Sequence, residues 1–252
     1  MPRYAANLTM MFTELPLLDR FSAARSAGFD AVEVLFPYDV SAADLLDRIA
    51  GNALTLALIN CPPPNYTDGP RGFAAVPGGQ ARFQHDFKRS LRYARALGAQ
   101  HLHLMAGVAN GPDAEAAYID NLRWAAAQAP AQSLLIEPIN PVDMPGYFLN
   151  DFDLAARVLD AVGAPNLRLQ FDAYHAHRIT GDLLGTWDRM AHRVAHVQVA
   201  GYPGRHEPSA GDIDFKTFFA RLDADGYKGW VSGEYNPKRR TEDGLGWRAQ
   251  LS

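Results

Sequence analysis

Leu167-Arg168-Leu169-Gln170-Phe171-Asp172 is the stretch that decides the fold. Apolar and polar residues alternate along it, the two-residue period of a strand with two unlike faces. Leu167, Leu169 and Phe171 take one face, and Arg168, Gln170 and Asp172 take the other. The pattern returns in Ala195-His196-Val197-Gln198-Val199, where His196 and Gln198 lie opposite Val197 and Val199. Outward from these two stretches, short apolar runs and amphipathic segments follow one another to both ends of the chain. Strands are expected at residues 3–8, 31–36, 54–60, 101–107, 133–139, 167–174, 194–200 and 229–235. Helices are expected at 15–27, 42–50, 82–97, 114–128, 152–162 and 215–225. Gly28, Gly98 and Gly163 stand where helices should stop, and Asp151 and Asp214 where N-caps belong. Parallel strands need a helical crossover between each pair, so this alternation predicts a parallel α/β sheet. Eight units in 252 residues fit a single closed (β/α)8 TIM barrel over residues 1–252. An open doubly wound sheet is disfavoured, because no G-x-G-x-x-G turn follows the first strand.

Composition narrows the classes further. The chain is 48% hydrophobic and 21% charged with a formal net charge of -4, and it has no block of five or more basic residues. A nucleic-acid partner is therefore not expected. No apolar run approaches the ~20 residues of a membrane span, and the N-terminus lacks a signal-peptide pattern, so the expectation is a cytoplasmic protein. Cys61 is the only cysteine, which excludes an internal disulfide and a thiolate metal cluster.

In a barrel the active site lies at the C-terminal ends of the strands. The apolar strand faces should pack on the outer helices and the polar faces should point into the barrel. Four consecutive strands then deliver Glu137, Asp172, Gln198 and Glu234 to one mouth. Three carboxylates crowded into a partly desolvated space raise one another's pKa, a conflict that a divalent cation resolves. Hard oxygen donors point to Mg²⁺ or Mn²⁺. Such a metal would polarise adjacent carbonyl and hydroxyl oxygens, with Glu137 and Glu234 as candidate acid and base. Which of the two acts first is left open.

These residues also carry a family resemblance. Asn7-Leu8-Thr9-Met10-Met11-Phe12, Phe36-Pro37-Tyr38-Asp39, Ile136-Glu137-Pro138-Ile139-Asn140 and Asp143-Met144-Pro145-Gly146-Tyr147-Phe148-Leu149 resemble hydroxypyruvate isomerases, as do Gln170-Phe171-Asp172-Ala173-Tyr174-His175 and Gly204-Arg205-His206-Glu207-Pro208. That family belongs to the xylose-isomerase-like TIM barrels. The intervals from Glu137 to Asp172, to Gln198 and to Glu234, namely 35, 26 and 36 residues, are similar to the family's ligand spacing. The resemblance implies aldose–ketose-type isomerisation through an enediolate, with the two glutamates as ligands and acid/base. Hydroxypyruvate and tartronate semialdehyde are the first expected pair. A four-carbon 2-oxotetronate is the alternative, and a ketose 3-epimerase is a more distant one. The family's endonuclease branch would call for more ligating histidines and a basic surface. A non-catalytic sugar-acid binding barrel would have no use for a base on each side of its ligand.

Further residues enter as substrate-binding candidates. His175, three residues after Asp172, resembles a family position that contacts a substrate oxygen. Arg205, with His206 beside it, and Arg71 offer cations for a substrate carboxylate, and Asp143 is a hydrogen-bonding candidate. Residues 61–79, rich in Pro and Gly, form a candidate lid, opened by a stiffening Pro62-Pro63-Pro64. His101 and His103 are placed near the start of the fourth strand, far from the mouth, as barrel or surface histidines. Cys61 reads as a small buried residue and Met10-Met11-Phe12 as site wall or core. Trp247 reads as a contact with a partner subunit, which makes a homo-oligomer a candidate assembly.

Overall fold

The computed structural model describes residues 2–62, 71–209 and 211–250. Eight parallel strands close into a barrel in sequence order: β1 (Arg3–Asn7), β2 (Ala31–Glu33), β3 (Thr55–Cys61), β4 (His101–Leu104), β5 (Ser133–Ile136), β6 (Leu167–Asp172), β7 (Val194–Val199) and β8 (Trp230–Gly233). β8 pairs back onto β1, so no strand edge is left open. The helices are α1 (Leu17–Ser26), α2 (Ala42–Gly51), α3 (Gln80–Leu97), α4 (Pro112–Gln128), α5 (Phe152–Val162), α6 (Ala173–Thr180), α7 (Leu183–Met190), α8 (Phe215–Ala224) and α9 (Trp247–Gln250). Among the described residues, no helix is long and apolar enough to cross a membrane.

The face assignment made from the alternation holds. Phe171 points outward, its ring centroid 5.4 Å from that of Phe152 on α5, 5.3 Å from Trp187 on α7 and 6.0 Å from Phe218 on α8. Gln170, His196 and Gln198 point inward and are buried among one another's polar atoms. Burying a ring of this size stabilises by about 2 kcal/mol, and aromatic contacts of this geometry add about 1 kcal/mol each. Helix ends follow their local signals. Asp151 and Asp214 accept from the backbone N–H groups of Leu154 and Thr217, and Gly98 and Gly163 end α3 and α5 in the left-handed conformation.

Seven of the eight strands end earlier than the sequence suggests, β2, β4 and β5 by three residues each. β6 stops at Asp172 because its carboxylate accepts from the backbone N–H groups of Tyr174 (2.7 Å) and His175 (3.3 Å). Those bonds cap α6, a helix the sequence reading did not expect, and the chain passes from strand to helix without a loop. β4 stops at Leu104, after which Ala106 pairs with Gly72. A Cβ on Gly72 would sit 2.3 Å from the Met105 carbonyl oxygen, so only glycine admits this approach, which brings Arg71 to the barrel mouth. β2 stops at Glu33, where its register against β3 shifts. Of the candidate lid, residues 63–70, with Pro63 and Pro64, lie outside the described residues. Trp247, expected at a partner contact, is buried in its own chain, where its ring lies edge-on to Tyr4 at 5.1 Å and Nε1 donates to the Tyr235 hydroxyl.

Candidate active site

A cavity of about 350 Å³ opens at the C-terminal ends of the strands. Glu137, Glu234, His175, Arg205, Asp143 and Arg71 all line it, as do Met10, Asn60 and His103. Asp172 and Gln198 lie just beneath, paired in register on β6 and β7, with both side chains buried.

The carboxylates are held by neutral donors and one guanidinium. Glu137 Oε2 accepts from Gln170 Nε2 at 2.9 Å. Glu234 Oε2 accepts from Arg205 Nη2 at 2.8 Å, and the same nitrogen lies 3.5 Å from Asp172 Oδ2. Burial pushes the Glu137 carboxyl well above the usual range, and the nearby Glu234 and Asp172 carboxylates push it further. Burial raises Glu234 likewise, against the opposing pull of Arg205. Arg205 is the cation in contact with Glu234 and Asp172 among the described residues, and its backbone adopts a left-handed φ of 54° to reach them.

Around this set the other candidates divide. Asp143 accepts from Asn140 Nδ2 at 3.1 Å and forms an ion pair with Arg178. Burial alone would raise its carboxyl, but the Asn140 bond and the Arg178 charge hold it below the usual range. Arg71 has its guanidinium 5.8 Å from the Phe36 ring centroid and makes no ion pair among the described residues. Arg205, by contrast, is already engaged with Glu234 and Asp172. His206 does not line the cavity; its Nδ1 meets the Asn236 carbonyl at 2.7 Å. Cys61 is buried, and burial pushes its thiol up to about 12, so it is no thiolate nucleophile.

His103 is not far from the mouth. β4 is only four residues long, so His103 reaches the cavity wall, 3.6 Å from Glu137 Oε2 and 3.3 Å from Asn60 Oδ1. Burial pushes it down to about 3. His101 stays lower in the barrel, bonded to Ser133 Oγ at 2.8 Å.

Sequence reasoning missed Glu33. This fully buried carboxylate accepts from Asn7 Nδ2 (2.9 Å) and Gln198 Nε2 (3.0 Å), and it pairs with His196 Nε2. Gln198 thus has its amide nitrogen turned down to Glu33, and its Oε1 accepts from Gln170 Nε2 at 2.6 Å. The signal was present: Glu33 interrupts the apolar run Ala31–Phe36 on the inward face, opposite Asn7 in register.

The donors suit a hard divalent cation. Glu137, Asp172 and His175 each present a ligand-type atom within 4.8 Å of the others. Oxygen donors predominate, and sulfur is absent from the group.

Comparisons with known proteins point to one family. The xylose isomerase-like TIM barrel family model matches residues 21–251. The chain is 46% identical to a 2-oxo-tetronate isomerase of Cupriavidus necator, over 98% of this chain and 97% of that one. It is 38% identical to the hydroxypyruvate isomerase of Escherichia coli, over 98% of each. A crystal structure described as an AP endonuclease, family 2, from Brucella melitensis superposes with a TM-score of 0.95 at 42% identity, covering 99% of both chains. An L-ribulose 3-epimerase superposes at 0.78 with 22% identity, covering 99% of this chain and 86% of that one, a likeness of fold alone.

Proposed function

The chain belongs to the xylose isomerase-like TIM barrel family and is an isomerase. From that premise we propose that it moves the carbonyl of a short hydroxylated 2-oxo acid from C2 to C3 through an enediolate. The observation that carries this reading is the pair of buried glutamates, Glu137 and Glu234, on the wall of one small cavity. One carboxylate removes the C3 proton, and the other returns a proton at C2. The oxygens exchange a proton in the same turnover, so the product is an isomer and no redox partner is needed. Arg71 supplies the cation for the substrate carboxylate, with Asp143, also on the cavity wall, as a hydrogen-bond acceptor for a hydroxyl. Apolar groups, Met10, Leu35, Phe36 and Met144 among them, limit water around the enediolate.

Glu137, Asp172, Gln198 and Glu234 would hold the metal, Mg²⁺ or Mn²⁺. When bound, such an ion supplies Lewis-acid stabilisation of the charge developing on the two oxygens. A cavity of about 350 Å³ lies at the small end of ligand sites and suits a short acid. Hydroxypyruvate is the three-carbon substrate of this reading. The four-carbon 2-oxotetronate is its second form, favoured by the 46% identity to a 2-oxo-tetronate isomerase.

The test is a side-by-side assay of both acids on chelator-treated protein, with Mg²⁺ or Mn²⁺ restored. Turnover that returns with the metal supports the reading, and the larger kcat/KM selects the substrate. No turnover of either acid by metal-bound protein rejects it.

A further inference from the structure

Asn140 lies three residues past Glu137, and its side chain settles a question about His175 that a histidine cannot settle alone. The two ends of an amide have the same shape, but here the backbone distinguishes them. Asn140 Oδ1 accepts from the backbone N–H groups of Val142 (3.1 Å) and Asp143 (3.0 Å). A backbone N–H only donates, so the atom facing both must be the carbonyl oxygen. The amide nitrogen then faces the other way, 2.7 Å from His175 Nδ1 and 3.1 Å from Asp143 Oδ2. It has two hydrogens for those two acceptors. Asp143 is itself fixed by its ion pair with Arg178, which also donates to the Tyr174 hydroxyl at 3.0 Å.

The consequence passes to the ring. A nitrogen that receives the Asn140 amide presents a lone pair and carries no proton. The backbone N–H of Asn140 points at the same Nδ1, at 3.4 Å. The single proton of the neutral imidazole is therefore on Nε2. That N–H faces the cavity, 3.9 Å from Glu137 Oε1 and 3.7 Å from Asp172 Oδ2. Both distances are too long for hydrogen bonds, so the donor has no protein acceptor among the described residues.

We propose that Asn140 is a positioning residue that fixes His175 as its Nε2–H tautomer, making His175 a neutral hydrogen-bond donor to the substrate oxygen that gains charge in the enediolate. The same assignment removes His175 from the metal's ligand set, although its ring lies within ligand distance of Glu137 and Asp172, because a protonated Nε2 has no lone pair to give. The substrate half of the proposal rests on the isomerase reading above; the tautomer does not.

The test begins with ring ¹⁵N resonances of the full chain in chelator, with His175 assigned by its loss in His175→Gln. The expected pattern is a proton-bearing Nε2 and a bare Nδ1, unchanged when Mg²⁺ is added. A proton on Nδ1 overturns the proposal, and so does loss of the Nε2 proton on adding Mg²⁺. Asn140→Asp places an acceptor where the amide nitrogen was, so the ring proton is expected on Nδ1. In that variant kcat should fall on the order of 10²-fold, the effect of removing one oxyanion donor, with much less change in KM. An unaltered ring pattern in a folded Asn140→Asp protein overturns the positioning role. If that variant does not fold, the wild-type spectrum still decides the tautomer. Failure of every 2-oxo acid to turn over removes the isomerase reading and leaves the ring assignment intact.

Discussion

Replacing Arg205 by Met should destabilise the metal-free protein by about 3 kcal/mol, an effect a divalent cation should largely erase. Arg205 Nη2 contacts Glu234 at 2.8 Å and Asp172 at 3.5 Å, and those two side chains are 7% and 0% exposed. Removing one partner of a buried ion pair costs ~3–5 kcal/mol, because the remaining charge is left desolvated. Arg205 itself keeps 22% exposure, which places the cost at the lower end. Met retains most of the apolar contact with Tyr174, over whose ring the guanidinium sits at 5.2 Å. For a chain of this size each kcal/mol moves Tm by ~2–4 °C, so the expected drop is ~6–12 °C in chelator. A metal on the same carboxylates adds ~2.7 kcal/mol at a hundredfold excess over Kd. The variant should gain more than the parent, since it offers the metal the same carboxylates without a competing cation. Thermal unfolding by circular dichroism, with chelator and then with Mg²⁺, reads both effects. Coincident Tm values in chelator would refute the charge-balancing role, and an equal gap in both conditions would refute a shared site.

Three further outcomes follow from the same geometry. Glu137→Gln and Glu234→Gln should each lower kcat on the order of 10³-fold, with titration calorimetry showing that the 2-oxo acid still binds. Glu33→Gln should set an amide N–H against donors from Asn7, His196 and Gln198, costing about 2 kcal/mol in denaturant unfolding. Because Glu33 orients Gln198, calorimetry should also show Mg²⁺ affinity ~10–100-fold weaker. His101 concerns pH: burial holds its folded value down to about 3, below the unfolded value, so the unfolded chain takes up the proton first. Its stabilisation is present above about pH 6.5 and is lost as the pH falls towards 3, about 2 kcal/mol of it between pH 7 and pH 5. Urea unfolding of His101→Gln at those two pH values should show a pH dependence smaller by that amount.

Much of this architecture was legible because barrel strands have two chemically distinct faces. The alternation in residues 167–172 told Phe171 from Gln170, and strand order then placed Glu137, Asp172 and Glu234 together. What stayed hidden depended on contacts rather than periodicity. Asp172 caps α6 with its own carboxylate, so the strand ended without a glycine or proline to mark it. His103 reached the mouth because β4 ends where Ala106 meets Gly72, a pairing between residues 34 apart. Glu33 looked like one charge in an apolar run, and its meaning depended on three partners from β1 and β7. Arg205 was legible as a cation near the site, but not as one already engaged with Glu234.

The most direct test of the central claim is to run the metal-loaded enzyme in D₂O on hydroxypyruvate and 2-oxotetronate, following C2 and C3 by NMR. Proton transfer through Glu137 and Glu234 predicts deuterium at C2 of the isomerised product, lost together with turnover in either Glu→Gln variant. Product that keeps the C3 hydrogen at C2 in every turnover, formed equally well by Glu137→Gln and Glu234→Gln, would contradict it.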